Sequence, residues 1–249
     1  MMRFEGGAVQ HAPAARGRSS LQLVAGGADR LPATAELRLA SGRSLYVEGQ
    51  RAVAPYLVVS GILRVSVALI GGRERLIDIV GPGDVVGTAA LEAADHAESV
   101  VAAEDGAVVA ELDLARVLAN RGSRQRLASA LVKQLVRSRE LADDLGLPMG
   151  ARICRILARL AERLGEAVSA GSAATAPAGT LGAVTSWRHL PFNLTHDDVA
   201  LLAGCARVTA TRVMGDLKEA GVLDGSRGDY ALVPTALLEA ADAYVCDVI

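Results

Sequence analysis

The chain has 249 residues, of which 51% are apolar, so it can bury a substantial core and general disorder is excluded. Its 26 basic residues nearly balance 28 acidic ones, and the formal net charge is -2. A polycationic protein is therefore excluded, and any nucleic-acid role must rest on a local basic face. Cys154, Cys205 and Cys246 have neither metal-site spacing nor a disulfide framework, which fits a reducing cytoplasm and no metal. No apolar run reaches the roughly 18 residues of a membrane span, so no membrane partner is expected.

In chain order, residues 1–30 are rich in Gly, Ala and Arg and are expected to form a flexible N-terminal tail. Over 31–115, short apolar runs alternate with glycine-centred breaks. Strands are predicted at 36–40, 43–48, 55–60, 62–69 and 75–80, with turns at Gly42, Gly49, Gly61, Gly71-Gly72 and Gly81-Pro82-Gly83. Many short strands at close spacing predict a barrel or sandwich. Over 116–147 the pattern is helical. Ala128, Leu131, Leu135, Ser138, Ala142 and Leu145 follow a 3-then-4 spacing, one stripe of a helix suited to pairing with a second copy. Pro148 ends this helix and a second helical run follows. Residues 165–185 have the composition of a linker or loop. The domain from 148 to 249 carries the strongest motif.

That motif lies between Thr195 and Leu223. Thr195 is positioned to cap a helix that ends at Ala203, with Asp198 three residues along, and is also expected among the DNA-contacting residues. Ala200 supplies the small residue needed where two helices approach, and Gly204 supplies the turn. A second helix is predicted from about Ala206 to Ala220, ended by Gly221. Arg207, Val208, Thr209, Thr211 and Arg212 lie near its start, the part that a recognition helix places in the major groove of double-stranded DNA. Arg207 and Arg212 have the fork to grip a guanine edge. Val208 suits a thymine methyl, and Thr209 or Thr211 a phosphate. The segment 224–230 reads as a wing with Arg227 at its tip, able to touch a phosphate.

These segments resemble the CRP/FNR (cyclic-AMP-receptor-like) family of transcription regulators. LTHDDVALLAGCARVTATRVMGDLKEAGVL is similar to the family's helix-turn-helix, LVVSGILRVSV to its strand–Gly–strand segment, and GPGDVVG to the approach to its nucleotide pocket. The resemblance covers roughly 34–235. It implies an α+β fold, with an N-terminal cyclic-nucleotide-binding-like β-roll, a long dimerisation helix and a C-terminal winged helix-turn-helix. It also implies a cytoplasmic, nucleoid-associated bacterial homodimer on a palindromic site, RNA polymerase as a partner, and no enzymatic activity.

The pocket departs from the family's pattern. Cyclic-nucleotide binders follow the first pocket glycine with a Glu for the ribose, whereas Gly87 is followed by Thr88. An Arg-Ser pair that grips the cyclic phosphate corresponds to Glu98-Ser99, whose carboxylate would repel a phosphate. A Thr-Ser pair that reads adenine corresponds to Arg137-Ser138. Val208 replaces an acidic residue that accepts from cytosine. The reading is therefore a DNA-binding regulator with no cofactor and no need of cyclic AMP. A regulator with another effector in the altered pocket, or a sensor acting through protein contacts, remains the alternative.

Overall fold

The computed structural model describes residues 31–168 and 187–246. The tail expected over 1–30 and most of the linker expected over 165–185 lie outside them. The first half is an antiparallel β-roll. Strands β1 (Ala33–Leu39), β2 (Ser44–Tyr46), β3 (Tyr56–Ala68), β4 (Glu74–Val80), β5 (Val85–Val86) and β6 (Ser99–Leu112) form a sheet of order β1-β6-β3-β4, with β2 on β6 and β5 on β3. Val58, Leu63, Val65, Val80, Val100 and Val109 make its core.

The sheet corrects two expectations. Gly61 is not a turn between strands, because β3 runs unbroken through it. Its φ is +76°, it pairs beside Gly106 at φ +73°, and a Cβ on Gly61 would lie 2.3 Å from the Gly106 carbonyl oxygen. The two glycines let β3 and β6 bend together where any side chain would collide. The second correction is β6 itself, for which the sequence reading assigns no strand. Its apolar ends are split by Glu104-Asp105-Gly106, which reads as a turn but is a bend within one long strand.

Helix α1 (Leu114–Ala119) is capped by Asp113 and α2 (Arg121–Asp143) by Asn120, each side chain accepting from the backbone N–H three residues on. The 116–147 helix expected from the sequence is thus interrupted at Asn120 and ends in a 3₁₀ turn, Asp144–Gly146. Ser123 and Leu127 on α2 are buried against the chain itself. Ala128, Leu135, Ala142 and Leu145 are exposed, whereas Leu131 is half-buried and packs partly on its own domain.

Helix α3 (Met149–Leu164) contributes more buried residues than any other described helix. It is followed by β7 (Glu166–Ala167), β8 (Arg188–His189), α4 (His196–Ala203), α5 (Arg207–Glu219), β9 (Leu223–Ser226), β10 (Asp229–Leu232) and α6 (Pro234–Cys246). A second sheet has the order β7-β8-β10-β9. Tyr244 of α6 lies so close to Gly150 that a Cβ there would sit 2.4 Å from its ring. Ile62, Leu76, Ile79 and Ala103 of the β-roll join the core built by α3, α4, α5 and α6. At the α2–α3 joint, the buried Asp144 carboxylate pairs with Arg155 at 2.8 Å and with Arg159. Arg152 donates to the carbonyls of Asp144, Leu145 and Ala203, tying this joint to the end of α4.

Candidate nucleic-acid interface and β-roll pocket

α4 and α5 meet across Gly204, whose φ of +69° gives the sharp turn; Ala200 is buried beneath it. Thr195 and Asp198 form a reciprocal capping box. The Thr195 hydroxyl accepts from the Asp198 N–H at 3.0 Å, while the Asp198 carboxylate accepts from the Thr195 N–H and hydroxyl, both at 2.9 Å. The Thr195 hydroxyl hydrogen is therefore already donated within the chain. Ala210, Val213, Met214 and Leu217 seat α5 on the core.

The opposite face of α5 is open. Val208 is 75% exposed, and Arg207 and Arg212 are also exposed. Arg207 lies 3.1 Å from Asp197, a solvated pair that holds the guanidinium near the start of α5 at little energetic cost to its release. Thr209 is half-buried. Thr211 meets the His196 Nδ1 at 2.9 Å, and His196 Nε2 meets the Tyr230 hydroxyl at 3.0 Å, linking both helices to the wing. Lys218 donates to the Gly225 carbonyl at 2.7 Å, a second strap from α5 to the wing. Arg227 stands at the wing tip with φ +55°, exposed. A groove of about 530 Å³ runs between α5 and the wing, reached by Arg207, Thr211, Lys218 and Arg227. The sequence reading missed His196 and Lys218, which lack a motif; only packing places them.

In the β-roll, Gly87 (φ +72°) sits where a Cβ would lie 3.2 Å from the Ala54 carbonyl and 3.3 Å from both the Tyr46 and Tyr56 rings. Thr88 opens the 3₁₀ turn that follows. Tyr46 donates its hydroxyl to Glu98 at 3.0 Å and stacks on His96, centroids 3.5 Å apart. Burial first, and then the Glu98 charge, pushes the Tyr46 phenol well above its ordinary range, so it stays a donor. His96 is buried, and burial lowers its pKa against the opposing pull of Glu98 and Asp95. The Ser99 hydroxyl accepts from the Glu48 N–H at 3.0 Å.

The two other positions expected at the pocket are engaged elsewhere. Arg137 reaches Asp78 at 3.1 Å and Asp84 at 2.8 Å, fixing α2 to the β-roll, and the exposed Ser138 hydroxyl donates to the Gln134 carbonyl of its own helix. Among the described residues no group of His, Cys, Asp and Glu is placed to hold a metal ion. Cys154 is fully buried, with its thiol pushed up to about 12 by burial, and Cys205 is shifted the same way.

A capped helix, a glycine turn, a second helix with an open basic start and a trailing hairpin define a winged helix-turn-helix protein, here joined to a β-roll. Comparison with known proteins agrees. Residues 36–119 match the cyclic nucleotide-binding domain family, and residues 151–241 the Crp-like helix-turn-helix domain family. The cyclic AMP receptor protein of Thermus thermophilus is 31% identical over 202 residues, covering 80% of this chain and 83% of that protein. A CRP-like cAMP-activated global transcriptional regulator of Mycobacterium tuberculosis is 25% identical over 185 residues, covering 72% and 75%. The crystal structure of a CRP/FNR-family transcriptional regulator, also from Thermus thermophilus, superposes with a TM-score of 0.64 at 20% identity, covering 84% of this chain and 100% of that one. The chain belongs to the CRP/FNR family of DNA-binding transcription regulators.

Proposed function

We propose that this regulator acts as a homodimer on a palindromic DNA site and does so without cyclic AMP. Arg207, Val208 and Arg212 read base edges. Thr209, Thr211 and Arg227 serve the backbone, Thr211 by exchanging its His196 contact for a phosphate. Thr195 acts by holding α4 rather than by a contact of its own. Two copies pair through a largely exposed stripe of α2 and the turn after it, where Val132 and Val136 extend the seam of Ala128, Leu131, Leu135, Ser138, Ala142 and Leu145. RNA polymerase contact and a cytoplasmic, nucleoid-associated location belong to the same reading.

One observation carries the independence from cyclic AMP. The related proteins are named for cyclic AMP, yet here Glu98, at the position matched to a phosphate-gripping arginine, accepts a hydrogen bond from Tyr46. A nucleotide phosphate entering there would meet a carboxylate in place of a cation and would have to break that bond. Ser99 is likewise engaged, by the Glu48 N–H.

The test is selection of bound DNA from a random-sequence pool by the purified protein, with and without cyclic AMP. The expected result is one palindrome enriched equally in both arms. Enrichment confined to the cyclic AMP arm would overturn the pocket reading, and enrichment of unpaired half-sites alone would overturn the dimeric one.

A further inference from the structure

Arg64 stands near the middle of β3 and points out of the β-roll into the DNA-binding domain. Its Nε and Nη2 each lie 2.9 Å from a different oxygen of Asp198, and Nη2 also donates to the Asn193 carbonyl at 3.0 Å. The side chains are only 21% and 10% exposed, so this forked pair is largely withdrawn from water. Asp198 is the residue that completes the capping box of α4, so one carboxylate serves both the helix start and the β-roll. Burial alone would raise its pKa, but the bonds from Arg64 and Thr195 outweigh burial and keep it ionised.

The segment before α4 is held from both sides. Asn193 donates its side-chain amide to Glu104 of β6 at 2.6 Å, and the next residue, Leu194, donates its N–H to the wing carbonyl of Gly228 at 2.9 Å. Gly228 packs directly on Asn193, leaving no room for a Cβ. Arg64 thus grips the first helix of the motif and the segment that carries the wing. The reading face of α5 remains uncovered, with Val208 and Arg207 open to solvent. The pair fixes the domain without masking it.

We propose that Arg64 is a positioning residue for operator recognition: by fixing the helix-turn-helix on the β-roll it sets the distance between the two recognition helices, and so the half-site spacing that the protein accepts. The inference rests on the dimeric reading above. In a dimer, each recognition helix is placed by its own β-roll and α2. A domain free to pivot would accept several separations, whereas a clamped one accepts a single separation. Lysine cannot replace the arginine fully, because an ammonium lacks the planar fork that spans both Asp198 oxygens and the Asn193 carbonyl.

The experiment is random-pool selection with wild type, Arg64→Met and Arg64→Lys, scoring the spacing between enriched half-sites separately from their sequence. Wild type should enrich one spacing. Arg64→Met should enrich the same half-site sequence over several spacings, and its affinity for the wild-type site should fall about tenfold; Arg64→Lys should lie between. A folded Arg64→Met dimer that keeps the single spacing and the wild-type affinity overturns the proposal and leaves the dimeric reading standing. Wild type that enriches no paired half-sites overturns both. Should Arg64→Met fail to fold, Arg64→Lys decides, and an unchanged spacing with unchanged affinity counts against the proposal.

Discussion

At the scale of single residues, the reading face and the pocket make opposite demands on charge. Arg207 and Arg212 are exposed, so replacing either with Ala should leave stability nearly untouched and cost about 1–3 kcal/mol of binding per half-site if it grips a guanine. Competition binding against sites altered at single base pairs checks this. Loss confined to one base position marks a base contact, and equal weakening on every sequence marks a phosphate contact. His96 makes a different prediction. Its folded pKa lies below the ordinary value of 6.5, so below that value the unfolded chain takes up a proton that the folded chain resists. Stability should therefore be full above pH 6.5 and decline as pH falls from there toward the folded pKa. Thermal melts between pH 8 and 5.5 should show a smaller decline for His96→Phe than for wild type. An equal decline would remove His96 as the source. The stacking of His96 on Tyr46 was not legible because the two are 50 positions apart on different segments.

At the scale of elements, what could be read depended on whether the signal was local. The helix-turn-helix was legible because its cap, its turn glycine and its open basic start lie within a short stretch. β6 was not, because its central Glu104-Asp105-Gly106 has turn chemistry, and only Gly61 across the ladder explains why the strand bends there. α6 also went unread: it buries Leu237 and Ala241, and Tyr244 packs where Gly150 leaves room, a fit with α3 far away in the chain. The stripe on α2 was legible by period, but only the fold separates its two faces. Leu127 is buried against the chain, whereas Leu135 is 69% exposed. In the dimeric reading, Leu135→Glu places two carboxylates in the seam and should convert dimer to monomer in sedimentation velocity, with far-UV circular dichroism unchanged. A variant that stays dimeric would move the interface elsewhere.

At the scale of the whole molecule, the regulator is held by two kinds of contact between its halves. One is apolar, where Ile62 and Ile79 enter the core of the DNA-binding domain. The other is ionic, through Arg64–Asp198 and through Arg163, which donates to Asp78 at 2.9 Å. The continuity of β3 adds a consequence. Tyr56, beside Gly87 at the pocket, and Arg64, at the clamp, belong to the same strand, eight residues apart with the Gly61 bend between them. β6 pairs with β3 on one edge across most of this stretch, while β5 at Tyr56–Leu57 and β4 from Leu63 onward pair with the other, so the two ends are joined by a strand that is braced at each end and bends at Gly61. Any coupling free energy between the two ends is, by linkage, equal in both directions. Loosening Arg64 should therefore change the environment of Tyr46 and Tyr56, read as tyrosine fluorescence of wild type against Arg64→Met, and an unchanged spectrum would show that the two ends are uncoupled.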